Sequence, residues 1–226
     1  MPKKGTMKKI IFRIFLLCFI TVFAVVAQAQ DFVTEINAFK KQDGISFPAK
    51  NAILFTGSSS FTKWQDVQEY FPGTPIINRG FGGSSLTHLI EYENDIIFPY
   101  HPKQIVIYCG ENDIASDDNV TGEIVAERFI ELFKDIRRRL PGTQISFVSM
   151  KPSPSRWHMR ERMMEGNKRI KKYLKKKSNT DYINVWNAML GTDGKPMQAL
   201  FVEDNLHMNA SGYAIWQKII APYLLK

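Results

Sequence analysis

The chain is poor in the residues that build covalent or metal frameworks. Its 226 residues contain two cysteines, Cys18 and Cys109, and four histidines. No His-Glu-x-x-His and no paired-cysteine spacing occurs, so the usual zinc signatures are excluded. The Gly-x-Gly-x-x-Gly dinucleotide spacing is missing as well, since "RGFGGSS" (79–85) lacks its last glycine. Nor is there a Gly-x-Ser-x-Gly elbow, which removes support for the larger α/β-hydrolase fold. There is no internal repeat, low-complexity tract or linker. "KPSPSRW" (151–157) has two prolines, but reads as an ordered loop rather than a domain boundary.

Acidic residues are absent from the first 29 positions. "MPKKGTMKKI" is basic, the run to Val26 is apolar apart from Arg13 and Thr21, and "AQA" at 27–29 places small residues where a signal peptidase reads. This pattern predicts a secretory signal peptide over 1–29, cleaved after Ala29. The competing reading is a retained membrane anchor, against which stand Arg13 and the cleavage-like site. A lipid anchor on Cys18 is disfavoured by the large Leu17 before it. Five of the 30 basic residues fall in this segment, so the chain beyond it carries 25 basic and 22 acidic residues, a net of +3. That balance gives little support to nucleic-acid binding. The remaining basic clusters, 137–139 and 167–177, sit in helical patterns and read as solvated faces. After cleavage only Cys109 remains, so no internal disulfide can form, and its apolar surroundings mark it as a core residue.

The rest, about 197 residues over 30–226, has the size of one domain. Five short apolar runs recur, at 52–55, 75–78, 104–109, 144–150 and 181–186. Their near-continuous hydrophobicity predicts strands covered on both faces, as in a parallel sheet. Helical patterns fill 121–140, 160–177 and 209–225, with Asn209 as an N-cap, and a short amphipathic helix is expected over 31–42. The expected architecture is α/β, a three-layer α/β/α sandwich built on right-handed crossovers. Ligands bind such sheets beyond the carboxyl ends of the strands.

The segments at those ends carry the chemistry. Gly57-Ser58-Ser59-Ser60 follows the first strand, "NRGFGGSS" (78–85) the second and "GENDIA" (110–115) the third, while "EDNLHMN" (203–209) precedes the last helix. Each alone is ordinary turn chemistry. Together, in this order, they resemble the SGNH hydrolases, the GDSL-type esterases and lipases, over most of the chain from about residue 50. The resemblance implies Ser59 as nucleophile, Gly83 and Asn112 in the oxyanion hole with the Ser59 amide, and Asp204 and His207 from an Asp-x-x-His block. It also implies a five-stranded parallel sheet in the flavodoxin-like order 2-1-3-4-5, and no cofactor or metal. Ser58 stands where the family usually has Asp, which blurs which of three serines attacks; register against Gly57 favours Ser59.

The residue types suit ester hydrolysis. A serine hydroxyl needs a base to take its proton as it attacks, and an imidazole titrates close to working pH. An aspartate three residues before the histidine can turn back to fix its tautomer. Among other residues, Trp157 and His158 are candidates for the substrate cleft. His88 and His101 are read as packing or surface residues, Phe61 and Trp64 as core. Asp113 is read as bracing the turn after the third strand by hydrogen bonds, and Arg156 as doing similar structural work. The expected activity is that of an exported serine esterase, without stable membrane insertion after cleavage, acting on a small-molecule or glycan ester. No long apolar insertion suggests a lipase lid, which favours short acyl groups such as acetyl on carbohydrate. A lysophospholipase or thioesterase, and a secreted binding module without catalysis, remain alternatives.

Overall fold

The computed structural model describes residues 32–226; the expected signal peptide lies outside these residues. Strands β1 (Ile53–Gly57), β2 (Ile76–Gly80), β3 (Gln104–Tyr108), β4 (Gln144–Val148) and β5 (Thr180–Ile183) form one sheet in the order β2-β1-β3-β4-β5. Every pairing is parallel. The fold class and strand order are those the motifs implied. Strand limits differ slightly. β1 runs two residues past its apolar stretch because Thr56 and Gly57 still pair with both neighbours, and β5 stops at Ile183, short of the expected 186.

Alternation along the strands divides the core into two halves. Leu54, Ile105 and Ile107 face one way, toward helices α1 (residues 32–45), α7 (Gly122–Arg139) and α8 (Arg160–Leu174), where Phe32, Ile36, Phe129 and Ile170 are buried. Ile53, Phe55, Val106 and Tyr108 face the other way, against α9 (Ala210–Ile220), with Trp64 and Trp216 at the centre. The short helices α2 (Ser59–Thr62), α3 (Val67–Tyr70), α4 (Leu86–Glu91), α5 (Glu93–Ile96) and α6 (Glu111–Ser116) follow the strand ends or bridge them.

Local chemistry sets the helix limits. Thr121 caps α7, its hydroxyl accepting from the Ile124 amide at 3.3 Å. The Asn209 side chain accepts from Ser211 and Gly212 at the start of α9, as expected. That helix ends before the expected 225. Pro222 offers no amide, and the chain tightens to a single 3-10 turn at Ala221–Tyr223. α8 ends at Leu174, and the lysines at 175–177 are exposed beyond it. No helix among the described residues is long and apolar enough to cross a membrane.

Candidate active site

The loops after β1, β2 and β3, with the segment before α9, meet at one edge of the sheet. Gly57 makes the first turn with φ +144°, and a Cβ there would sit 1.9 Å from the Tyr108 carbonyl oxygen, so only glycine fits. The chain then starts α2. Ser58 and Ser60 are buried, while the half-exposed Ser59 turns outward. Ser59 occupies the first turn, where an amide has no intrahelical acceptor.

Of the three serines, Ser59 faces the histidine. Its Oγ lies 2.9 Å from His207 Nε2, across 148 positions of sequence. His207 Nδ1 lies 2.5 Å from Asp204 Oδ2. The other Asp204 oxygen accepts from the backbone amides of Leu206 and His207, at 2.9 and 2.8 Å. Burial pushes this carboxyl up, but the bond from the His207 ring and the two amide bonds outweigh it and bring the pKa down to about 2. An ionised carboxylate only accepts, so Nδ1 carries the ring proton, leaving Nε2 to accept from the serine hydroxyl. The loop folds back because Val202 N donates to His207 O at 2.8 Å, Phe201 bridges Met208, and Asn205 takes the left-handed φ of 55°.

The other two motifs lie alongside. Gly83 has φ +77°, and its exposed backbone carries no side chain to block approach. Its loop is held on two sides. Ser84 Oγ donates to the Gly57 carbonyl at 3.1 Å, and the Glu35 carboxylate accepts from Gly82 N at 3.0 and 3.1 Å. Neither the Ser59 nor the Gly83 amide donates to a protein acceptor among the described residues. Asn112, in the first turn of α6, donates through Nδ2 to Ser84 O at 2.9 Å and accepts at Oδ1 from Arg156 at 2.8 Å.

Gly83 and Asn112 open on a cavity of about 350 Å³ whose walls include Phe32, Ser85, His88, Glu91, Tyr92 and Ser116. His88 packs its ring on Phe32, with centroids 4.5 Å apart, and also borders this cavity. Trp157 and His158 are not among its walls. Trp157 stacks on Trp186 and His158 is exposed. Another cavity, about 400 Å³, runs along edge strand β2 and is lined by none of Ser59, Gly83, Asn112, Asp204 and His207. No group of three His, Cys, Asp or Glu among the described residues could hold a metal ion.

Sequence reading missed the support beneath this site. Glu111 and Lys151 are both buried and paired, with Lys151 Nζ at 3.1 Å from Glu111 Oε2. Burial raises the Glu111 carboxyl, but the Lys151 and Arg156 charges overcome this and hold it below the ordinary range. Asp113 braces less of its own turn than expected. Its buried carboxylate instead accepts from Leu86 N at 2.9 Å, fixing the start of α4, and from Arg128 of α7 at 2.8 Å.

The sequence model of the GDSL-like Lipase/Acylhydrolase family matches residues 46–215, a span that includes every one of the four motifs. The chain belongs to this family. The family is one of ester hydrolases, and solved structures share its fold. A Streptococcus pneumonia protein named for platelet activating factor superposes with a TM-score of 0.80 at 20% identity, covering 92% of this chain and 99% of its own. A GDSL-like lipase from Bacteroides thetaiotaomicron gives 0.71 at 16% identity, covering 83% and 96%. A catalytic mutant of an acetylxylan esterase from Geobacillus stearothermophilus gives 0.62 at 14% identity, covering 77% and 94%. Curated proteins give no match.

Proposed function

We propose that this GDSL-family protein is an exported serine esterase. Ser59 Oγ attacks the ester carbonyl while His207 Nε2 takes its proton. The resulting oxyanion accepts hydrogen bonds from the Ser59 and Gly83 amides and from Asn112 Nδ2. Collapse returns the proton from His207 to the departing alcohol and leaves an acyl-Ser59. His207 then removes a proton from water, whose oxygen attacks the acyl carbon. The acid departs as the proton returns to Ser59 Oγ. Asp204 holds the imidazole tautomer and steadies its charged form. The observation that carries this reading is the 2.9 Å contact between Ser59 Oγ and His207 Nε2.

A short acyl group on a polar alcohol fits the surroundings best. The cavity beside Gly83 and Asn112 presents Ser85, His88, Glu91 and Ser116 along with two rings, a poor lining for a long alkyl chain. Acetyl on carbohydrate is the proposed substrate class, consistent with the acetylxylan esterase among the structural neighbours. Export rests on the signal-like residues 1–29, and sequencing the N-terminus of the secreted protein tests it.

The purified protein should hydrolyse p-nitrophenyl acetate and release acetate from acetylated xylo-oligosaccharides. Ser59→Ala should lower turnover at least about 10³-fold while the fold is kept. Hydrolysis that survives in folded Ser59→Ala would overturn the nucleophile assignment. Absence of hydrolysis across a panel of acyl esters would instead favour a binding module.

A further inference from the structure

We propose that Arg156 is a positioning residue for the oxyanion step, acting through Asn112; the inference rests on the oxyanion role given to Asn112 above. An asparagine amide has two orientations of almost the same shape, related by a half-turn. One presents N–H to a developing oxyanion, the other a carbonyl oxygen that would repel it. The choice at Asn112 is not left to the side chain. Arg156 Nη2 lies 2.8 Å from Oδ1, and a guanidinium only donates, so the oxygen must face Arg156. Nδ2 then faces the other way. One of its hydrogens goes to Ser84 O at 2.9 Å. The second has no acceptor among the described residues, in a group that borders the same cavity as Gly83.

The guanidinium is itself held. Its Nη1 donates to Glu111 Oε2 at 3.3 Å, one residue before Asn112. Glu111 is fixed in turn by Lys151 Nζ at 3.1 and 3.3 Å, by the Lys151 amide at 3.1 Å and by the Tyr108 hydroxyl. Arg156 is 17% exposed, Glu111 4% and Lys151 1%. Two cations surround one carboxylate, so the cluster carries a net positive charge directly behind the amide. Charge of that sign on Oδ1 polarises the amide, so its N–H donates more strongly to the negative oxygen of the tetrahedral intermediate. A lysine at 156 could supply the charge but not the planar fork that grips Glu111 and Asn112 together. A brace that merely tied the 151–157 loop to α6 would do none of this. Its loss would lower stability and leave the turnover of the folded fraction alone.

A double-mutant cycle on the full chain separates the two roles. Arg156→Met should lower kcat on p-nitrophenyl acetate by about 10- to 100-fold with KM changed less than about threefold, and Arg156→Lys should fall between. The affinity of a trifluoromethyl ketone, whose serine adduct carries the oxyanion, should drop in parallel with kcat. In an Asn112→Ala background, adding Arg156→Met should cost less than about threefold, because the amide it orients is gone. Losses that multiply as independent factors, or an unchanged kcat in folded Arg156→Met, would overturn the proposal. Should Arg156→Met fail to fold, Arg156→Lys carries the same cycle. Full turnover in Asn112→Ala would instead remove Asn112 from the site, a failure of the site reading that the single variant reports by itself.

Discussion

At the scale of single residues, Asp204 is the group whose chemistry is most sharply defined. Its pKa of about 2 results from bonds that outweigh burial, so the carboxylate is ionised throughout the neutral and mildly acidic range. The sign follows from that depression. Its contribution to stability is present above the ordinary carboxylate range near 4 and is lost as pH falls toward 2. The side chain is 47% exposed, so solvent weakens that contribution. For catalysis the consequence is larger. An amide in place of the carboxylate can present N–H to Nδ1, which moves the ring proton to Nε2 and stops it accepting from Ser59. Asp204→Asn should therefore lower kcat by about 10³–10⁴-fold with little change in KM, and raising the pH to 9 should not restore it. Steady-state kinetics from pH 5 to 9 checks this, and recovery at high pH would count against the orienting role. That Ser59, Asp204 and His207 come together was legible in the sequence because each stands in a local motif whose residue type suggests its chemistry. Arg156 was read as a brace, and Glu35 and Lys151 were not singled out, because their partners lie about 40 or more positions away. Only the strand order brings them together. Trp157 and His158 were named for their place after β4, but position in a loop does not decide which way a side chain faces.

At the scale of elements, the site depends on how β1 ends. Apolar periodicity finds a strand but not its last residues, because Thr56 and Gly57 carry no hydrophobic signal and are held by pairing alone. Gly57 pairs with Gly80 and Tyr108 on either side, and there is no room for a side chain beside the Tyr108 carbonyl. Its positive φ adds backbone strain for any other residue. Gly57→Ala should cost about 2–6 kcal/mol, from strain plus overpacking. Because α2 starts two residues later, any surviving folded protein should also place Ser59 poorly and turn over more slowly. Denaturant titration together with kinetics on the folded fraction tests both parts, and a midpoint equal to the parent's would refute the packing argument. The short helices α2 to α6 were not legible for a related reason. Four to six residues span barely one turn or two, so they form because the strand ends and tertiary contacts hold them, with a capping box only at α4, and not because they show a periodic face.

At the scale of the whole molecule, the N-terminal helix is bound to the site as well as to the core. α1 buries Phe32 and Ile36 on the same side of the sheet as α7 and α8. From between them Glu35 reaches the loop that carries Gly83, and Phe32 walls the cavity beside it. A chain begun at residue 30 keeps each of these contacts and should fold and hydrolyse esters normally. One begun at residue 46 loses the burial of both apolar side chains, roughly 3–6 kcal/mol by transfer energies. That is a large share of the 5–15 kcal/mol typical of a whole domain. It also frees the Gly82 amide from its carboxylate. The shorter chain should melt far lower, and what remains folded should show a reduced kcat because the loop carrying Gly83, the proposed oxyanion donor, is no longer held. Glu35→Ala separates the two effects, since it leaves Phe32 and Ile36 in place while removing the grip on the loop. A Glu35→Ala variant whose kcat matches the parent's would mean that Ser84 and the Gly83 turn hold the loop without help from α1.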